Sequence, residues 1–92
     1  MTENYEGAAF IIASQYRMSV VQVLGGTHAT PSTIAEHSEL DITHVSRSLS
    51  KLRDKGLVEL LVPETTRKGR IYGLTESGRT ALDTAENLEV EA

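Results

Sequence analysis

Residues 30–56, TPSTIAEHSELDITHVSRSLSKLRDKG, constrain the fold of this chain more than any other stretch. Thr30 can cap a helix, and Pro31 suits the first helical position because no amide donor is needed there. Asp41 can cap a second helix, where its carboxylate meets the positive end of the helix dipole. Gly56 can adopt the left-handed conformation that ends a helix. The pattern therefore predicts a short helix, a tight turn and a longer helix.

The longer helix combines an apolar stripe with a polar face. Because successive side chains lie about 100° apart around a helix, one inward stripe holds Ile42, Val45, Leu49 and Leu52. Short hydroxyls, an imidazole and cations lie away from this stripe, at Thr43, His44, Ser46, Arg47, Ser50 and Lys51. A helix that enters the major groove of DNA needs such side chains, since an arginine there can bond bidentately to guanine. The alternative is the ordinary solvated face of an amphipathic helix.

Two short apolar segments follow, joined by a basic loop. The run LVELLV over 57–62 suits a strand, and a return strand is predicted over 70–75. The loop between them carries Arg67 and Lys68, and Arg70 begins the return strand. We expect these cations to lie against DNA phosphates or in the adjacent minor groove. The alternative is an ordinary hairpin tip, where Lys and Arg are common.

Further helices are predicted at both ends of the chain. Residues 7–24 are rich in Ala, Ile and Val and form either one helix or two, with Ser14 as the cap of the second, whereas residues 1–6 are expected to be frayed. Thr75 can cap a last helix over about 76–90. Since the apolar residues of the first segment occupy more than one stripe, we expect it to contact both its own domain and a second subunit. Alternatively, its first apolar residues fold back on the same core.

Charge is unevenly distributed along the chain. The 92 residues have a formal net charge of −4, which taken alone argues against binding to nucleic acid. Residues 42–72, however, hold seven basic against three acidic side chains, or +4, which leaves −8 for the rest. Because a nucleic acid contacts only part of a protein surface, this segregation favours a local DNA-binding region. The acidic remainder fits either a solubilising surface or a cytoplasm of high salt concentration.

Length and composition exclude several classes of protein. The chain is one small domain, residues 1–92, without the cysteine that a disulfide framework or a thiol redox switch requires. No apolar run approaches the roughly 20 residues that span a bilayer, and the polar, acidic N-terminus is unlike a secretory signal. We therefore expect a cytoplasmic protein without membrane contact.

Neither a metal site nor an active site is indicated. The three histidines, His28, His37 and His44, do not have the spacing of a compact metal motif; His44 is better explained as an exposed residue of the longer helix. There is no phosphate-binding glycine loop, and no nucleophile is paired with a base. We expect neither cofactor, metal nor catalysis.

Three segments together resemble a known family: SQYRMSVVQVL, then TPSTIAEHSELDITHVSRSLSKLRDKGLVE, then GRIYGLTESG. They are similar to the winged helix–turn–helix transcriptional regulators, and above all to small archaeal single-domain members related to the MarR and ArsR groups. The resemblance covers about residues 14–82. It implies a mainly α fold of about four helices with a two- or three-stranded antiparallel wing. It also implies a homodimer, which we expect to pair through the N- and C-terminal helices, on a palindromic operator.

The resemblance also implies roles for individual residues. The family's DNA contacts fall on Thr43, His44, Ser46, Arg47 and the wing cations Arg67, Lys68 and Arg70. Two positions depart from the family pattern. Glu39 stands where the turn often has glycine. Either Glu39 adopts the left-handed conformation, at a cost of roughly 1 kcal/mol, or the turn has a different shape. Ser48 stands where the metalloregulator branch often has histidine, so no base contact is transferred to it.

The function expected from the sequence is therefore a sequence-specific, double-stranded-DNA-binding transcriptional regulator. Helix 42–55 would lie in the major groove, and the loop 63–70 on the backbone or in the minor groove. The alternative is a winged helix that serves as a protein-interaction module and binds no DNA. DNA binding would weaken as salt rises, which distinguishes the two. A small-molecule effector is possible, but no residue pattern indicates one.

Overall fold

The computed structural model describes the backbone of residues 4–91 and the side chains of residues 4–88. This part of the chain forms a mainly α fold of five helices and a two-stranded hairpin, as the sequence predicted apart from one additional helix. In chain order the elements are α1 (Tyr5–Ile12), α2 (Gln15–Gly26), α3 (Pro31–Ser38), α4 (Ile42–Asp54), β1 (Val58–Leu60), β2 (Tyr72–Leu74) and α5 (Glu76–Glu91). No helix in the described range is long and apolar enough to cross a membrane.

The N-terminal apolar segment forms two helices because Ser14 interrupts it. Ser14 has an extended backbone, and its Oγ accepts a hydrogen bond from the amide of Arg17 at 3.3 Å, which starts α2. The break lets α1 turn back onto the domain, where Ile11 is fully buried and Ile12 is 39% exposed. Of the predictions of one helix or two for this segment, two helices are therefore confirmed. Much of the apolar surface of α1 and α2 packs into the core of the domain.

The start of α1 is ordered by Asn4. Its side chain accepts a hydrogen bond from the amide of Gly7 at 2.9 Å, and its own N–H donates to Thr84 Oγ1 in α5 at 3.2 Å. The prediction that residues 1–6 are frayed is thus wrong from Asn4 onward, and residues 1–3 lie outside the described range. A Cβ added at Gly7 would come within 2.9 Å of the Ala81 Cβ, so glycine allows α1 and α5 to pack closely.

The helix–turn–helix has the predicted caps. The Thr30 side chain accepts a hydrogen bond from the amide of Thr33 at 3.2 Å, and Asp41 accepts one from the amide of Thr43 at 2.9 Å. Glu39, between the two helices, is left-handed, with φ 60° and ψ 32°. Of the two alternatives for this position, the strained turn is the one observed, and it costs roughly 1 kcal/mol relative to glycine.

The hairpin is shorter than the sequence suggested. β1 and β2 are antiparallel, and Val58 pairs with Leu74, Glu59 with Gly73 and Leu60 with Tyr72. The ladder continues by one hydrogen bond, from the amide of Leu61 to the Ile71 carbonyl at 2.7 Å. Pro63 lies two residues farther along; since proline has no amide proton, it cannot extend such a ladder.

A third strand is reduced to one residue. Ala29 and Tyr72 exchange both backbone hydrogen bonds, at 3.1 and 2.9 Å, in an isolated antiparallel bridge. This bridge attaches the connector before α3 to the hairpin. We refer to β1, β2 and the loop between them, residues 58–74, as the wing.

One apolar core joins all the elements. Its fully buried large side chains are Ile11, Val20, Val21, Leu24, Ile34, Val45 and Leu52. Thr75 caps the start of α5: its hydroxyl accepts a hydrogen bond from the amide of Gly78 at 3.0 Å and donates one to the Gly56 carbonyl at 2.6 Å. The end of α4, the hairpin and α5 are therefore fixed to one another.

The inward face of α4 differs from the predicted stripe at its first turn. Ile42 is 45% exposed, because it precedes the part of the helix that lies over the core. Ser48 is buried instead, between Val45 and Leu52 on the helix surface. A buried Ser48 fits the expectation that it is not a base-contacting residue.

Candidate nucleic-acid interface

The outward face of α4 presents most of the residues that the sequence proposed for DNA contact. Exposed side chains are those of Thr43, Ser46, Arg47, Ser50 and Lys51. Hydroxyls donate and accept hydrogen bonds and guanidinium or ammonium groups donate them, so the face suits base edges and phosphates alike. Its start is fixed by Asp41, and the pKa of that carboxyl is held below its ordinary value because it accepts hydrogen bonds from Thr43.

His44 is less exposed than the sequence suggested. It is half-buried, and its ring stacks on that of Tyr16 with centroids 4.1 Å apart and an interplanar angle of 11°. Tyr16 belongs to α2 and was not among the predicted site residues. The sequence carried no signal for it, because only the packing of α2 across α4 brings the two rings together.

The polar residues of α4 fall on two flanks. Counting about 100° per residue, His44, Lys51 and Lys55 share the flank toward Tyr16. Ser46 and Ser50 lie on the opposite flank, and Arg47 points outward between the two flanks. The helix therefore has a cationic edge and a hydroxyl-bearing edge, with Arg47 between them.

The cationic edge extends onto the junction of α1 and α2. The Arg17 guanidinium lies 3.9 Å from the Phe10 ring centroid, and its Nε donates to the Phe10 carbonyl at 2.7 Å. The Lys55 ammonium lies 5.3 Å from the centre of the same ring. Phe10 thus connects the N-terminal helices to the end of α4 through two cation–π contacts.

The hydroxyl-bearing edge faces the wing across an open groove of about 430 Å³. We call this space the wing groove; it is lined by Pro31, Ser46, Leu49, Ser50, Arg53, Asp54, Arg70 and Tyr72. The structure therefore places two of the predicted α4 residues and one predicted wing cation around a single groove. Arg53 was not predicted as a site residue, although it lies on the same edge as Ser46 and Ser50.

Arg70 is not a free cation. Its Nη2 contacts Glu64 Oε1 at 3.2 Å, while Arg53 Nη2 contacts Glu64 Oε2 at 2.8 Å. The nearer guanidinium, Arg53, contributes most to lowering the pKa of Glu64, and this carboxylate raises the pKa of Arg53 in turn. Arg70 Nε is buried without a hydrogen-bond partner in the described part of the protein. The expectation of a simple basic wing is thus modified, since one acid bridges the wing to α4.

The remaining wing cations, Arg67 and Lys68, are exposed at the loop tip. They line a second recess together with the start of α3, residues 30–32, and Ile42. The exposed Ile42 side chain therefore lies beside the wing tip and not in the core. The tip and the first turn of α4 are neighbours, as a shared binding surface requires.

The sequence predicted no metal site at the three histidines. Among the described side chains, residues 4–88, no three His, Cys, Asp or Glu are grouped so that they could hold a metal ion. His28 and His37 are both exposed; His28 lies in the connector between α2 and α3, and His37 lies on α3.

Comparison with known proteins supports the fold. The model of the family described as HVO_A0261 N-terminal domain matches residues 5–92. NMB1585, a MarR family regulator from Neisseria meningitidis, has a TM-score of 0.71 and 26% sequence identity, over 90% of this chain and 63% of that one. No curated protein sequence matches significantly.

Two further solved structures share the winged helix–turn–helix fold. The homodimeric DNA-binding domain of Mb0332 from Mycobacterium bovis, a possible ArsR-family regulator, has a TM-score of 0.68 and 20% identity over 94% of this chain and 75% of that one. ZitR from Lactococcus lactis, solved in complex with DNA, has a TM-score of 0.70 and 17% identity over 85% of this chain. This chain spans 53% of ZitR and 63% of NMB1585, about half to two thirds of their lengths.

Proposed function

This chain belongs to the HVO_A0261 N-terminal domain family, and from that membership and its fold we propose that it is a sequence-specific transcriptional regulator that binds double-stranded DNA. α4 enters the major groove, where Arg47 reads a base and the neighbouring Thr43, His44, Ser46 and Ser50 contact base edges or phosphates. Lys51 and the wing-tip cations Arg67 and Lys68 contact the backbone or the adjacent minor groove.

One observation carries this proposal: the wing lies beside the polar face of α4. Ser46 and Ser50 line the wing groove opposite Arg70, and Ile42 lies in the same recess as Arg67 and Lys68. A helix in the major groove and a loop that reaches the next groove must have this side-by-side arrangement. The net positive segment 42–72 supports it, because it supplies both parts of the surface.

We propose further that the protein acts as a homodimer on a palindromic operator. Two observations support this assembly: the Mb0332 domain is homodimeric, and α1 and α5 keep Ile12 and Leu88 partly exposed, at 39% and 37%. Exposed apolar side chains on the two terminal helices agree with a contact between subunits through these helices. A symmetric dimer would bind half-sites about one helical turn of DNA apart, roughly 34 Å.

The remaining assignments are proposals of the same kind. A cytoplasmic location, no catalysis and no cofactor agree with the regulators among the similar structures. An archaeal origin is supported by the resemblance to small archaeal regulators, and a high-salt cytoplasm agrees with 13 acidic against 9 basic side chains. A small-molecule effector is neither required nor indicated by the recesses described above.

Selection of bound sequences from random duplex DNA tests the proposal. We expect enrichment of a motif with two inverted half-sites, together with affinity that falls linearly with salt on logarithmic axes. A protein-interaction module would enrich no motif and show no such salt dependence. Enrichment of a single, unrepeated half-site would retain DNA binding but overturn the dimeric arrangement.

A further inference from the structure

The wing groove has the composition of an oxyanion site. Two guanidinium groups, Arg53 from α4 and Arg70 from the wing, approach the same carboxylate within 2.8 and 3.2 Å. The hydroxyl-bearing residues Ser46 and Ser50 line the same space. Arginine pairs and hydroxyls are the groups that proteins use to bind phosphate, because the planar guanidinium matches the spacing of two oxyanion oxygens.

The carboxylate in this position is held weakly. The Glu64 side chain is 68% exposed, and the ion pairs with Arg53 and Arg70 are its only side-chain partners within the described part of the chain. Exposed ion pairs contribute little to stability, because water and salt screen them and two long side chains must be immobilised. A second anion can therefore displace Glu64 at small cost.

The present arrangement also leaves Arg70 incompletely paired. Its Nε is buried and has no acceptor, although one of its Nη atoms contacts Glu64. A buried donor without an acceptor is unfavourable, so a shift of Arg70 toward a larger oxyanion would relieve a defect. Among the residues that line the groove, Arg53 and Arg70 are cationic and Asp54 is acidic; Glu64 contacts both arginines but is not itself part of the lining.

We propose that the wing groove binds a phosphodiester group of the DNA backbone, which replaces the Glu64 carboxylate between Arg53 and Arg70. This inference rests on the proposed DNA-binding function and adds a specific site to it. Glu64 then acts as an internal competitor: it occupies two phosphate-binding arginines until DNA arrives. Because a phosphate is common to every sequence, the competition lowers affinity for all DNA equally.

The experiment compares Glu64→Gln with Glu59→Gln, using the selected operator duplex and a random duplex across a salt series. Glu59 is a matched control, because it carries the same charge and is exposed on β1 but shares in neither of the ion pairs found in residues 4–88. We expect Glu64→Gln to bind both duplexes about three- to tenfold more tightly than wild type, and Glu59→Gln to change affinity much less. Unchanged thermal unfolding of both variants controls for folding.

A double-mutant cycle assigns the gain to the two arginines. The gain from Glu64→Gln should disappear when Arg53→Ala and Arg70→Ala are also present. The inference is overturned if Glu64→Gln behaves like Glu59→Gln, or if its gain persists without the arginines, while wild-type binding to the operator leaves the proposed function intact. If neither wild type nor Glu64→Gln binds any duplex, both proposals are wrong.

Discussion

Tyr16 of α2 and His44 of α4 stack face to face, with ring centroids 4.1 Å apart. The stack fixes one edge of the proposed recognition helix against a helix that precedes the helix–turn–helix. Stacked aromatic pairs contribute about 0.5–1.5 kcal/mol beyond the burial of their surface. The imidazole of His44 is therefore presented in one orientation, and Tyr16 positions it.

Removal of this stack should weaken binding through His44. We expect Tyr16→Ala to reduce operator affinity by up to about tenfold, because the loss of His44 positioning can cost no more than the stacking energy, and Tyr16→Phe to retain the affinity because the ring remains. Affinity measurements on Tyr16→Ala, His44→Ala and the double variant provide the check. If the two losses simply add, Tyr16 does not act through His44.

Arg47→Ala should remove sequence discrimination. Loss of a bidentate contact to guanine costs about 1–3 kcal/mol for each half-site, whereas binding to random DNA should change far less. Titrations with operator and random duplexes measure the ratio. Arg79→Ala is the matched control, because Arg79 is exposed on α5, outside α4 and the wing. Equal losses on both duplexes would show that Arg47 contacts only the backbone.

The paired substitution Arg67→Ala with Lys68→Ala should weaken binding to every sequence. The slope of log affinity against log salt is negative, and each lost phosphate contact makes it shallower by about 0.9. The measurement is a salt series on operator and random duplexes, again beside Arg79→Ala. A slope equal to that of wild type would remove the wing tip from the DNA contacts.

The cap of α4 should make stability depend on acid pH. The folded protein lowers the pKa of Asp41 below its ordinary value of 3.8, because Thr43 donates hydrogen bonds to the carboxylate. The carboxylate therefore stabilises the folded state above that value, and the stabilisation is lost as the pH falls through the lower, folded-state pKa.

Thermal unfolding of Asp41→Ala and Asp41→Asn tests this cap. We expect Asp41→Ala to lower the Tm at neutral pH, and the difference from wild type to narrow under acid conditions. Asp41→Asn keeps a capping oxygen that does not titrate, so it should retain more of the stability at neutral pH. A Tm difference for Asp41→Ala that stays constant into acid would contradict the role of the charge.

Much of this architecture could be predicted because its determinants are local. The caps at Thr30, Asp41 and Thr75, and the apolar stripe of α4, act within a few residues of their own helix. Ser14 indicated that residues 7–24 could form two helices, but a single helix was equally compatible with the sequence. Packing decided between them, because only the folded domain offers α5 as a surface for α1.

The sequence by itself determined the helix–turn–helix, the hairpin and most residues of the exposed α4 face, since capping and periodicity are short-range. Tertiary structure alone decided which side chains meet: Tyr16 with His44, and Arg53 with Glu64 and Arg70. These residues lie on different elements, and no spacing along the chain encodes their distances. For this reason only the structure shows that Glu64, in a loop where cations predominate, bridges the wing to the recognition helix.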